Sequence, residues 1–139
     1  MKYREAVKLS WWVRKCCQDF AFSEKAKEYD FYRDRNLACM CAVASMALRK
    51  ASGDKFKVIK GRYYFKKRGE PHCWVEWEDW IFDITATQFG VAIPVYVLRI
   101  ENGGQYTERE EVKGYRDIRW GMTQDPSPRL TKLILGVIK

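Results

Sequence analysis

The sequence predicts an α+β fold, with N-terminal helices packed on an antiparallel β-sheet. Apolar residues recur at helical spacing before residue 51, whereas aromatic and β-branched residues alternate between residues 73 and 84. The chain has 139 residues, of which 47% are hydrophobic. This length and composition fit one domain over residues 1–139 with a buried core, and they exclude a largely disordered chain.

Two helices are expected in the first 35 residues. Apolar residues spaced at i, i+3, i+4 and i+7 predict an amphipathic helix over residues 4–20, in which Trp11 and Trp12 pack in the core and at its rim. Ser23 is a suitable N-cap for a second helix that runs to Tyr32 with a mostly charged face in water.

A third helix is expected to be buried nearly all round. Residues 36–50 are mainly small, apolar and good helix formers, and Ser52-Gly53 provides a stop. The helix should begin near residues 38–41 and end near residue 51. This start places Cys39 or Cys41 in the first turn, where unpaired backbone N–H groups and the helix dipole lower the pKa of a thiol.

A β-hairpin is predicted beside the single histidine of the chain. Alternating runs on either side of Glu78-Asp79 indicate two strands joined by a two-residue loop. If Trp77 pairs with Trp80, then His72 and Asp83 lie on one face of the sheet as diagonal neighbours. A carboxylate at that position can hold an imidazole in one tautomer and support its positive charge.

Weaker patterns indicate the rest of the sheet and the C-terminus. Residues 55–67 suggest one long or bent strand, with a bulge near Gly61 that changes which side chains face inward. A further strand is expected within residues 91–100, and no motif is recognisable over residues 106–124. Ser127-Pro128 predicts the start of a short terminal helix, with a final strand as the less favoured alternative.

The positive charge is concentrated in one segment. The formal net charge is +8, and nine Lys or Arg residues occur from Arg49 to Arg68 against one acid, while acids and bases balance elsewhere. Such a segment is typical of a solvated edge strand, or of a surface that attracts an acidic protein or peptide substrate or a nucleic-acid backbone.

The expected cellular compartment and the expected absence of cofactors are inferred from sequence features that are missing. No apolar run approaches the roughly 20 residues of a membrane span, and the N-terminus has no apolar secretory core, so we expect a cytoplasmic protein without membrane contact. Secretion without a cleaved signal stays open. The five cysteines suit free thiols. A zinc site could be built only from Cys39, Cys41, His72 and Cys73, and the spacing of these residues disfavours it. Neither a metal nor a cofactor is therefore expected.

Three parts of the sequence together resemble a known enzyme family. They are the run Cys41-Ala-Val-Ala-Ser45-Met-Ala-Leu48, the run His72-x-Trp74-Val75-Glu76 and the run Asp83-x-Thr85-x-x-Gln88-Phe89. In this order they resemble the transglutaminase-like branch of the papain-like cysteine enzymes, which includes leader-peptide peptidases and glutamine deamidases. The resemblance covers residues 36–89. It implies a Cys41–His72–Asp83 triad that transfers the acyl group of a protein or peptide amide to water or to an amine.

Some assignments within that resemblance stay open. Cys39 is an alternative nucleophile, although the serine four residues and the leucine seven residues further on are in helical phase with Cys41. The backbone N–H of Cys41 is an expected oxyanion donor, and Asn36 and Gln88 are side-chain candidates. Peptide hydrolysis, glutamine deamidation and crosslinking are equally compatible with the sequence.

Two functions of other classes are also compatible with the sequence. The basic segment could bind nucleic acid, with Tyr63, Tyr64 and Phe65 as stacking platforms. A catalytically inactive member of the same fold could instead bind a protein partner.

Overall fold

Three helices pack on one face of a five-stranded antiparallel sheet in the computed structural model, which describes residues 1–29, 34, 36–118 and 127–136. The helices are α1 (Tyr3–Ala21), α2 (Cys41–Ala51) and α3 (Pro128–Ile134). The strands are β1 (Lys57–Phe65), β2 (Arg68–Trp77), β3 (Trp80–Asp83), β4 (Tyr96–Arg99) and β5 (Tyr106–Val112). Their spatial order is β4-β3-β2-β1-β5, with all neighbours antiparallel. The predicted α+β class is confirmed.

Side chains are buried on both faces of this sheet. The face toward the helices joins the larger core, to which the sheet contributes Val58, Cys73, Val75 and Phe82. The opposite face carries a smaller, aromatic-rich cluster of Ile59, Tyr63, Trp74, Ile81 and Tyr106. Residues between β3 and β4 pack against this second cluster, among them Phe89 and Val91. Aromatic side chains therefore surround the part of β2 that carries the histidine.

Burial on both faces explains why the predicted bulge in β1 is wrong. The register between β1 and β2 runs without a break through Gly61. The irregularity lies in the pairing of β1 with β5, between Lys60 and Arg62, and the extra residue is on β5, where Glu108 has φ 53°. Because both faces of β1 are buried, its apolar residues change from even to odd positions without a bulge, and the sequence pattern alone suggested one.

Two elements of the sheet were not predicted. The strand expected over residues 55–67 forms as β1, but the chain then turns back at Lys66-Lys67, and β2 begins at Arg68, before the alternating run predicted from Cys73. Such two-residue turns usually contain Asn-Gly, so the sequence carries no turn signal here. β5 was missed because its residues 108–111 are charged and exposed, as is common in an edge strand.

The helix predictions are confirmed in three cases and wrong in one. α1, α2 and α3 form, and the Ser127 hydroxyl accepts a hydrogen bond from the Leu130 backbone N–H, as an N-cap does. The segment after Ser23 forms a 3₁₀ helix over Glu24–Tyr29, and the Ser23 hydroxyl donates to the Phe20 carbonyl at 2.6 Å instead of capping a helix. The remainder of the predicted second helix lies outside the described residues.

The two tryptophans of α1 do not pack as expected. Trp11 is 47% exposed and Trp12 is 49% exposed. The buried stripe of α1 instead contains Ser10, Arg14 and Cys17. No helix among the described residues is long and apolar enough to cross a membrane.

Candidate active site

The β2–β3 hairpin brings His72 and Asp83 together. Trp77 pairs with Trp80, as predicted, and Phe82 pairs with Val75. This register carries Asp83 to the diagonal position beside His72. The imidazole Nε2 lies 2.7 Å from Oδ2 of Asp83, and both side chains are buried.

The Asp83 carboxylate is held by four hydrogen bonds. Oδ2 accepts from His72 and from the Tyr106 hydroxyl at 2.8 Å, while Oδ1 accepts from the backbone N–H of Thr85 at 2.9 Å and from its hydroxyl at 3.4 Å. Burial alone would raise the pKa of Asp83, but the His72 charge and these hydrogen bonds hold the pKa below its usual value. Asp83 therefore stays ionised and fixed in orientation.

An uncovered edge of β2 allows α2 to reach the histidine. β3 pairs with β2 only from Val75 to Trp77, so His72 and Cys73 have no partner strand on that side. The first turn of α2 meets β2 at this edge and brings the Cys41 thiol close enough to Cys73 and to His72 for both to lower its pKa. Because Nε2 of His72 is engaged by the carboxylate, Nδ1 is the ring nitrogen left to exchange a proton with the thiol.

These contacts shift the pKa values of the thiol and the imidazole in opposite directions. Hydrogen bonding from the Cys73 side chain lowers the pKa of Cys41; burial opposes this, and His72 adds to it, bringing the pKa to about 5. Burial would lower the pKa of His72, but the charge and hydrogen bond of Asp83, together with Cys41, raise it to about 10. Both shifts favour a thiolate–imidazolium pair over two neutral groups.

The structure distinguishes Cys41 from Cys39. Cys41 is the first residue of α2 and is buried against His72. Cys39 is exposed and precedes the helix in the left-handed conformation, with φ 68°, as does Leu37 with φ 57°. Two non-glycine residues in this region are strained, and the strained turn delivers the chain to Cys41.

A buried arginine fixes the segments on both sides of this site. Arg14 of α1 donates to the Ile84 carbonyl at 2.6 Å and to the Thr87 hydroxyl at 3.0 Å. The Thr87 hydroxyl in turn donates to the carbonyl of Asn36 at 3.0 Å. Arg14 thereby connects the chain after Asp83 with the turn before α2.

The two side-chain candidates for an oxyanion donor lie in different places. The amide nitrogen of Gln88 is 3.5 Å from Nδ1 of His72 and donates to the Thr85 carbonyl at 3.1 Å. Asn36 is exposed, and its contact with this region is through its backbone carbonyl. Gln88 is thus beside the imidazole, and Asn36 is not.

Several residues of the site were not found from the sequence. Tyr106 lies in the segment without a motif, and its buried hydroxyl has no local signature. Cys73 contacts Cys41 only because its strand edge is uncovered. Arg14 did leave a signal, since Ser10, Arg14 and Cys17 follow one stripe of a helix whose apolar face is buried.

Much of the predicted basic surface is compensated by nearby acids. Arg62 lies 3.2 Å from Glu108, Lys60 lies 4.0 Å from Glu110, and Arg49 lies 4.0 Å from Asp54. β5 supplies two of these acids, so the sheet pairs the basic strand with an acidic one. These ion pairs leave a smaller uncompensated charge on residues 49–68 than the sequence suggested.

The space around the site is closed in this structure. Cys41 is 4% exposed and His72 is fully buried, with the Phe89 ring centroid 4.9 Å from the imidazole centroid. A cavity of about 580 Å³ lies elsewhere, at the Trp77 end of β2, and none of the three triad residues lines it. That cavity contains Glu76, whose buried carboxylate accepts hydrogen bonds from Trp74 and Arg109.

The described residues contain no group of three or more His, Cys, Asp or Glu side chains that could hold a metal ion. Comparisons of the chain with models of known families, with characterised proteins and with solved structures give no match.

Proposed function

We propose that this protein is a thiol-dependent acyl-transfer enzyme acting on an amide carbonyl of a protein or peptide, built on a papain-like, transglutaminase-like core. Cys41 is the nucleophile, His72 the proton carrier and Asp83 the group that orients it. One observation carries the proposal: the buried imidazole of His72 is bonded at Nε2 to the Asp83 carboxylate and also interacts with the thiol of Cys41, the first residue of α2.

The arrangement suits a two-step reaction through a thioester. The Cys41 thiolate attacks the amide carbon, and the carbonyl π electrons move to oxygen. When this intermediate collapses, the C–N bond breaks and the leaving amine takes the proton from Nδ1 of His72. Water or a second amine then gives a proton to His72 and attacks the thioester, which releases Cys41. Throughout, Nε2 keeps its hydrogen bond to Asp83.

Two half-buried side chains control access in this proposal. Gln88 and Phe89 lie beside the imidazole, on a short 3₁₀ helix over Ala86–Phe89. Since Cys41 and His72 are buried, a shift of these two side chains would open the imidazole to a substrate carbonyl. The Gln88 amide group, once displaced from the Thr85 carbonyl, is available to donate to the oxyanion.

Incubation with a peptide library tests whether the protein carries out peptide hydrolysis, glutamine deamidation or crosslinking to an amine. The protein and its Cys41→Ala variant are incubated with a proteome-derived peptide mixture, with and without an added primary amine. Mass spectrometry then follows new peptide ends, conversion of glutamine to glutamate and amine incorporation. We expect one of these products to accumulate with the wild type alone. Equal levels with both proteins would refute the proposal.

The nucleic-acid alternative has less support from the described residues. Of the three proposed stacking platforms, Tyr63 is buried and Phe65 is half-buried, which leaves only Tyr64 exposed. Base stacking requires an accessible ring face, so a row of three platforms is not present.

A further inference from the structure

The β1–β2 hairpin ends in an exposed group of cations, here called the basic tip and consisting of Lys66, Lys67 and Arg68. The Arg68 side chain is 81% exposed and lies 3.6 Å from Glu70. Within the described part of the chain, neither Lys66 nor Lys67 forms an ion pair. The basic tip thus holds two exposed cations without an ion pair to any described residue, at one end of the β1–β2 hairpin.

The backbone at the basic tip is unfavourable for lysine. Lys66 has φ 51° and Lys67 has φ 66°, so both central residues of the turn are left-handed. Asn-Gly is the usual solution for such a turn, because a Cβ atom crowds the backbone in this conformation; glycine has none, and asparagine tolerates the crowding better than lysine. Strain that persists in a short exposed turn points to a use for the two ammonium groups.

A row of aromatic rings leads from the basic tip to the candidate active site. The Lys66 ammonium lies 5.2 Å from the centroid of the Phe65 ring. The Phe65 ring is 5.9 Å from the Phe89 ring, and Phe89 is 4.9 Å from the imidazole of His72. Both phenylalanines are half-buried, so each presents an accessible edge.

We propose that the basic tip binds acidic residues of the substrate, while the aromatic row supports the segment that continues to Cys41. This inference rests on the proposed function and names its substrate class: an extended protein segment with acidic side chains near the target amide. β2 rises roughly 3.3 Å per residue, so the tip is about 13 Å from His72, the span of about four extended residues. The acidic residues should therefore lie about four positions from the target residue.

Binding of labelled peptides to the Cys41→Ala variant tests this inference without needing turnover. Each peptide carries fluorescein and one central glutamine, with two glutamates placed four residues away, two glutamates adjacent to it, or two lysines placed four residues away. Lys66→Asn/Lys67→Gly removes two charges and supplies the preferred turn, so it should fold. Lys55→Gln/Lys57→Gln removes the same charge at the other end of β1 and is the matched control.

We expect the peptide with distant glutamates to bind tightest. Its dissociation constant should rise roughly fivefold in Lys66→Asn/Lys67→Gly, as for two exposed ion pairs, and by less than about twofold in the control. Lys66→Arg/Lys67→Arg should retain binding, and high salt should remove the difference. Equal weakening by the control, or no preference for the distant glutamates, would overturn the inference. Tighter binding of a single-stranded oligonucleotide than of any peptide would also overturn it.

Failure of this inference is distinguishable from failure of the proposed function. The pH midpoint of Cys41 alkylation depends on His72 and Asp83 and should be unchanged in Lys66→Asn/Lys67→Gly. A normal midpoint with unaltered peptide binding would reject the basic tip alone.

Discussion

Replacing Asp83 with Asn removes the charge behind the imidazole while keeping the shape of the side chain. The amide oxygen of the introduced asparagine can still accept from the Thr85 backbone N–H, so its amide nitrogen faces His72. That nitrogen donates to Nε2, which leaves the proton of the neutral imidazole on Nδ1. Because Nδ1 then cannot accept a proton from Cys41, the pKa of Cys41 should rise from about 5 toward its ordinary value of 9.0.

The size of the expected effect depends on the measurement. Near pH 6, a rise in pKa from about 5 to about 9 lowers the thiolate fraction roughly a thousandfold. A thiolate of higher pKa is intrinsically more nucleophilic, by roughly fiftyfold over this range. The alkylation rate near pH 6 should therefore fall only about tenfold to twentyfold, whereas the pH midpoint should move by several units.

The pH midpoint of Cys41 alkylation is accordingly the quantity to measure. The protein is treated briefly with iodoacetamide at a series of pH values, and the modified Cys41 peptide is quantified by mass spectrometry. In the wild type the rate should rise as pH increases through about 5, because the thiolate forms there. Burial of Cys41 slows alkylation at every pH by a common factor, so it leaves the midpoint unaffected.

A graded control comes from Tyr106. Tyr106→Phe removes one hydrogen bond from Asp83 but keeps the carboxylate charge and its bond to His72. Its midpoint should lie between those of the wild type and Asp83→Asn. If Asp83→Asn alkylates with the midpoint of the wild type, the carboxylate does not support the pair, and our account of the site is wrong.

Three further predictions concern the nucleophile and the fold. Cys39→Ser should leave alkylation near pH 6 unchanged and Cys41→Ser should abolish it, since the Cys41 thiol lies beside His72 and its pKa is lowered; the reverse result would assign the nucleophile to Cys39. Arg14→Met keeps side-chain volume but leaves the buried Ile84 carbonyl without its donor, so the free energy of unfolding measured in urea should fall by about 1–3 kcal/mol. Arg4→Met, on the exposed face of α1, is the control and should change it little. Lys67→Gly relieves a left-handed lysine, and the same measurement should show a gain of about 1 kcal/mol; a loss would mean that the turn is not strained.

Local sequence patterns determined the helices and the hairpin of the candidate site. Side chains alternate with a period of two along a strand, and a two-residue loop leaves one register, so Trp77 opposite Trp80 places Asp83 beside His72. The position of α2 was local as well, because small apolar residues around Cys41 and a Ser-Gly stop placed its start near residues 38–41 and its end near residue 51.

Only the tertiary structure decided which groups complete the site. β3 is shorter than β2, and the edge left uncovered lets α2 bring Cys41, not Cys39, against His72. Tyr106 reaches Asp83 from the far edge strand, and Arg14 reaches Ile84 from the first helix, 70 residues away in sequence. Contacts of this kind depend on how helices and strands pack together. Sequence periodicity reports only the local structure of one element, so it cannot indicate which distant side chains packing will bring into contact.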